Sequence, residues 1–176
     1  MPLEFAEYDP DWPERASQAS AELMAALPGL FSAIEHVGST AVPGLAAKPI
    51  IDLMAATDDL DRVVARDGDL RRLGYEFHDA GMPGRLFYRR GADHAWTHHL
   101  HVVEASTFAS RNQRLLRDYL RGHPDDAARY GALKRRLAAL SDNGADYTRA
   151  KTELIQELTD KARAERGLPP VPVWEE

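Results

Sequence analysis

The stretch 36–54, "HVGSTAVPGLAAKPIIDLM", constrains this chain more than any other part of it. A short run over 32–37, β-branched at Ile34 and Val37, stops at Gly38 and reads as a strand ending in a Gly38-Ser39-Thr40 corner. Such a corner turns tightly and presents amides and hydroxyls at the C-terminal end of the strand, which suits phosphate oxygens. A second strand over 50–55 follows the loop, and twelve residues lie between Ser39 and Asp52. Strand alternation puts the Asp52 carboxylate on one face while Ile51 and Leu53 pack on the other. Pro43 and Pro49 fix the path of the loop, because each locks its own φ and restricts its predecessor. A segment that only filled a core would need neither the corner nor the charge.

Around this stretch the pattern alternates between the two periodicities. Asp11 reads as an N-cap, with Pro13 in the first helical turn, Glu14 three residues after the cap, and an alanine-rich run closed by Pro28-Gly29. One helix is expected over 58–73, with Gly68 weakening its middle. Strands are expected over 75–78, 85–90 and 97–103, separated by Gly-rich turns, and their order favours a mixed or antiparallel sheet. Beyond Ser106 the spacing is helical over 107–122, 125–140 and 146–166. The segment 111–140 contains many basic residues, but Asp118, Asp125 and Asp126 interrupt them and Leu115, Leu116, Tyr119 and Leu120 follow core spacing, so it reads as packing helices.

A length of 176 residues suits one domain, over 1–167, with the Pro-rich end 168–176 as an extended tail. No apolar run approaches the ~20 residues that a bilayer span requires, and the N-terminal residues show no basic start with an apolar stretch. A soluble cytoplasmic protein without a membrane partner is therefore expected. The chain has no cysteine, which excludes disulfides and thiolate metal sites. A net charge of −6 argues against broad nucleic-acid binding, yet leaves room for a small anionic ligand in a local basic pocket. Nothing in the sequence bears on oligomeric state.

The Gly-Ser corner followed at this distance by an aspartate between apolar residues resembles the polymerase-beta-type nucleotidyltransferase superfamily. The whole phrase "HVGSTAVPGLAAKPIIDL" more closely resembles the GrpB family, also written UPF0157. Further matching pieces are "YDPDWP" at 8–13, "LGYEF" at 73–77, "GRLFYRR" at 84–90, "HHLHVV" at 98–103, the segment 117–138, and "YTRAK" at 147–151. The resemblance implies an α+β, nucleotidyltransferase-like fold. That means a short mixed β-sheet with helices packed on one face, an open catalytic face, and C-terminal helices walling the pocket. In active superfamily members two acidic residues, two apart on the second strand, and a third on a later strand hold divalent metal. Here Asp52 takes the first position and Met54 the second, and a thioether is a poor ligand for Mg²⁺.

His99 and His101 share one face of their strand and could stand where the third carboxylate is expected. With Asp52 they could bind one divalent metal (Mg, Mn or Zn); the alternative is a pair of ordinary sheet histidines. Ligand contacts are expected from Gly38, Ser39 and Thr40, although serine and threonine in turns often bond their own backbone. Lys48 precedes the Asp52 strand, where an ammonium would balance that carboxylate or meet a phosphate. Arg85 and Arg89 share a strand face and could act jointly on an anion, or merely protect an edge. Tyr147 and Lys151 lie four apart on the last helix, and the resemblance turns them toward the pocket. The expected function is binding of a nucleotide or another phosphorylated small molecule, extending to nucleotidyl transfer with Asp52 as the catalytic carboxylate. The alternative is a non-catalytic ligand- or partner-binding domain that has lost the full metal site.

Overall fold

The computed structural model describes residues 5–93, 95–139 and 144–173, and the side chains of 144–148 lie outside that description. Its strands are β1 (Ala33–Val37), β2 (Ile51–Thr57), β3 (Tyr75–Phe77), β4 (Arg85–Ala92) and β5 (Ala95–Glu104). They form one sheet in the order β1-β2-β5-β4-β3. β2 runs parallel to β5, and the other neighbours are antiparallel. The helices are α1 (Trp12–Ala26), α2 (Leu60–Val64), α3 (Asp67–Arg72), α4 (Ala105–Phe108), α5 (Asn112–Gly122), α6 (Pro124–Ala139) and α7 (Gly144–Glu165). No helix among the described residues is long and apolar enough to cross a membrane.

Period-two alternation sorts the sheet into two faces. Ile51, Leu53, Ala55, Leu100, Val102 and Tyr88 point to one side, where Trp12, Ala16, Ala19 and Leu23 of α1, Val63 of α2 and Leu70 of α3 cover them. Each large apolar side chain buried there stabilises the fold by about 1.5–3 kcal/mol. The other face carries Asp52, His99, His101, Phe87 and Arg89. Its far end is covered by a small cluster of Val37, Met54, Ala56, Val103 and Phe108. A third cluster packs Val42 and Leu45, just past the corner, against Leu115, Tyr119 and Leu120 of α5, Tyr130 of α6 and Leu158 of α7. The last three helices thus grip the loop that leaves the corner.

Two helices expected to be continuous are broken. The segment 58–73 divides at Ala65 and Arg66, and Gly68 lies inside α3 rather than at the break. The second piece restarts with Asp67 and Asp69 in its first turn and Arg71 and Arg72 in its last, which complements its dipole. The segment 107–122 divides because hydroxyls compete for backbone carbonyls: Thr107 Oγ1 donates to the Glu104 carbonyl and Ser110 Oγ to that of Thr107. α1 keeps its proline start, but Asp11 makes no side-chain cap; its own amide instead donates to Asp9 Oδ1 at 2.8 Å. Residues 168–173 are neither helix nor strand and lie against α7, where Arg163 Nε donates to the Pro169 carbonyl and Gln156 Nε2 to that of Val171.

Candidate functional site

The corner and the aspartate meet directly. Gly38 sits at φ 76°, and a Cβ built on it would lie 2.5 Å from Asp52 Oδ2. Only glycine combines the left-handed backbone with that approach. From Ser39 to Ala41 the chain makes one 3₁₀ turn, closed by the Ala41 amide on the Gly38 carbonyl at 3.1 Å. Thr40 does not face the cleft: it is buried, accepts from His36 Nε2 at 2.8 Å and donates to the Ile50 carbonyl at 3.3 Å. Its hydroxyl braces the corner against the next strand. Burial, partly offset by Asp52, pushes the His36 imidazole down to about 4, so it stands neutral beside Thr40.

Ser39 has a partner that the sequence reading assigned to packing. Lys134 Nζ, from α6, donates to Ser39 Oγ and lies 4.4 Å from the centre of the Tyr130 ring. Burial and the neighbouring Lys151 charge push the Lys134 ammonium down to about 7, against the pull of Asp52. Lys151, from α7, is itself lowered by burial and by Lys48, again against Asp52. Lys48, Lys134, Lys151 and Asp52 therefore share one electrostatic neighbourhood, three ammonium groups to one carboxylate. The signal for Lys134 was present: it falls on the buried stripe of Tyr130 and Leu137, where a solvated lysine has no place. Gly131 lets this helix come close, since a Cβ there would sit 3.2 Å from Leu45 Cδ1.

Across the sheet, Asp52 pairs with His99 and His99 with Arg89, so these three form one row on the open face. His99 Nδ1 is 3.3 Å and His101 Nε2 3.9 Å from Asp52 Oδ1, and the Asp52 side chain is 28% exposed. The Phe87 ring packs on both imidazoles, with centroids 5.0 and 4.9 Å away. Arg85 is only 7% exposed and reaches inward, donating to His101 Nδ1 and to Gln113 Oε1, each at 3.3 Å. These bonds tie it to His101 and to Gln113 of α5. Arg89 donates to His78 Nδ1 at 2.8 Å and stacks on Trp96, at the distal end of the Asp52 row. The Tyr147 side chain lies outside the described residues.

The expected metal set of Asp52, His99 and His101 comes together but is not completed as a cage. A guanidinium only donates, so His101 Nδ1 accepts from Arg85 and the neutral ring carries its proton on Nε2, the atom turned to Asp52. Burial, against the pull of Asp52, pushes that ring down to about 4. Met54, at the second acidic position, is fully buried against Val37 and Val103 and offers no oxygen. Asp52 and His99 remain as donors, and among the described residues no three His, Asp or Glu side chains are disposed around one point.

Residues 2–161 match the GrpB protein family. A UPF0157 protein of Pseudomonas aeruginosa is 41% identical over 172 residues, covering 92% of this chain and 68% of that one. The UPF0157 protein YqkA of Bacillus subtilis is 33% identical over 163 residues, 92% of this chain but only 47% of that relative, about half of its length. The crystal structure of the conserved protein GrpB from Enterococcus faecalis superposes with a TM-score of 0.84 at 33% identity, covering 93% of this chain and 99% of that chain. The GLD-2/RNP-8 complex superposes at 0.55 with 17% identity, over 95% of this chain and 64% of that one. The Cid1 poly(U) polymerase with Mg and 3'-dATP bound gives 0.53 at 14%, over 77% and 43%. At these last identities the likeness is one of fold, which is of the nucleotidyltransferase type.

Proposed function

The chain belongs to the GrpB family, and from that premise and the geometry of the cleft we propose that it binds a nucleotide or another phosphorylated small molecule. The observation that carries this reading is the Lys134 ammonium on Ser39 Oγ, at a glycine corner that touches Asp52. Phosphate oxygens take their hydrogen bonds from Ser39 and the corner amides and their counter-charge from Lys134, Lys151 and Lys48. Asp52 keeps these lysines from repelling one another and orients the ligand's polar groups.

A second reading, nucleotidyl transfer, is favoured by the Asp52–His99 pair on the open face. Asp52 and His99 are the residues that would hold a divalent cation, which in such a site polarises phosphoryl oxygens. Binding is the stronger reading, because Met54 and the Arg85-held His101 leave that donor set short.

Calorimetric titration with ATP and with inorganic triphosphate, in EDTA and then in Mg²⁺ or Mn²⁺, tests both readings. Binding that persists in EDTA and weakens at least tenfold in Lys134→Met is expected. Affinity unchanged in both Lys134→Met and Lys151→Met would overturn the proposal. Affinity and turnover that need metal, and that vanish in Asp52→Asn, would instead establish the transferase reading.

A further inference from the structure

The corner also borders a second space. A cavity of about 210 Å³ lies between Ser39 and the last three helices, walled by Val42, Leu116, Leu120, Tyr130, Ile155 and Thr159. It is smaller than the ~300 Å³ at which pockets begin to hold a drug-sized molecule, and so suits one small ring system. The polar groups at its edge are mostly committed elsewhere. Arg117 is held by Glu35, Asp118 and the His36 carbonyl, and Gln113 Oε1 accepts from Arg85. Asn112 Oδ1 accepts from Arg163.

Thr159 is the exception. It is 1% exposed, and its Oγ1 has no hydrogen-bond partner among the described residues. A buried hydroxyl without a partner destabilises the free protein, and valine would fill the same volume without that cost. Threonine in a helix can satisfy itself on a carbonyl of the preceding turn, but Thr159 makes no such bond. The anion corner and the cavity are contiguous, for Ser39 borders both, and the Tyr130 ring that walls the cavity lies beneath Lys134.

Resting on the phosphate-binding reading, we propose that this cavity receives the neutral, ring-sized part of the same ligand. Thr159 Oγ1 makes its one directional hydrogen bond, and the apolar wall excludes charged or strongly polar groups. The ligand class is a phosphate ester whose other end is a neutral ring bearing one donor or acceptor, such as a nucleobase or another heteroaromatic.

The test titrates the intact protein with inorganic phosphate, inorganic triphosphate, ATP, UTP and phenyl phosphate, using the wild type, Thr159→Val, Leu116→Trp and Lys134→Met. At least one ring-bearing compound should bind ten times or more tighter than its ring-free counterpart, triphosphate for the nucleotides and inorganic phosphate for phenyl phosphate. Leu116→Trp should erase that gain by filling the cavity. Thr159→Val should reduce the gain three- to tenfold while leaving triphosphate binding unchanged and the melting temperature of the free protein equal or higher. A gain for ATP or UTP alone identifies a nucleobase, and one shared by phenyl phosphate identifies a general aromatic site. Ring compounds that bind no tighter than their counterparts, or a gain that survives Leu116→Trp and Thr159→Val, would overturn the cavity proposal and leave the anion site standing. A ring gain that Lys134→Met does not touch, without triphosphate binding, would sink the anion reading alone. Failure of every compound to bind the wild type would remove both.

Discussion

Lys134 is the residue on which the proposed anion site turns. In the free protein it holds fewer protons than in the unfolded chain between about 7 and its ordinary 10.5, so through this group stability rises with pH across that window. An anion beside Ser39 reverses the preference. At pH 8, phosphate binding should draw a proton onto Lys134, and the calorimetric enthalpy should vary with the ionisation heat of the buffer. Lys134→Met should abolish that dependence; a dependence that survives would assign the proton to Lys151 or another group. Met54 gives a second residue-scale expectation. Replacing it by aspartate restores the acidic pair on paper, but the side chain is fully buried among Val37, Val103 and Phe108. Met54→Asp should cost about 3–5 kcal/mol, as an uncompensated buried charge does, and urea denaturation would measure it. Gly38, Ser39 and Asp52 were legible in the sequence because strand alternation and glycine geometry are local. Thr40 and Arg85 were assigned by neighbourhood; the inward bonds of Thr40 to His36 and Ile50, and of Arg85 to His101 and Gln113, follow no periodicity of strand or helix.

At the scale of elements, α5 is joined to β1 by an ionic junction. Glu35 is 2.7 Å from Arg117 Nη1 and 2.9 Å from Arg114 Nη2, and Arg117 also donates to the His36 carbonyl. Burial alone would raise the Glu35 carboxyl, but the two guanidiniums outweigh it and hold it below its ordinary 4.5. Its contribution is thus fully present above that value and is lost as pH falls through the depressed one. Glu35→Gln should lower stability at pH 7 by on the order of 1.5–3 kcal/mol and flatten the acid limb of the stability–pH curve. An unchanged acid limb would show that α5 is docked by its apolar contacts alone. The strands and long helices were readable from periodicity. The break after Phe108 was not, because a threonine or serine hydroxyl that captures a carbonyl leaves the apolar spacing intact. The break at Ala65 and Arg66 lies in a segment without serine or threonine and is not of that kind.

Taken whole, the molecule is acidic at −6 yet concentrates three lysines around one carboxylate. Triphosphate affinity should therefore fall with added salt, though less than for exposed charges, since Lys134 and Lys151 are partly buried and buried pairs are screened less. The ligand should also stabilise the entire fold. At a hundred times its dissociation constant it should contribute about 2.7 kcal/mol, and each kcal/mol raises the melting temperature by roughly 2–4 °C in a chain of this size. Differential scanning fluorimetry with and without triphosphate measures it, and an unshifted midpoint at saturation would contradict a site built from both halves of the molecule. The mixed sheet and its helical layers were legible from element order. Lys48 and Lys151 were expected at the pocket, but Lys134 was not, because no local pattern relates α6 to the corner.

Ser39 and Lys134 stand 95 positions apart in the chain. A polypeptide growing from its N-terminus has every strand of the sheet by Glu104, including the corner and Asp52, but no part of α6 or α7. Until those helices emerge and dock, the corner lacks Lys134 and Lys151. A nascent or truncated chain that ends before α6 therefore lacks both of the lysines that the proposed anion site takes from the last two helices.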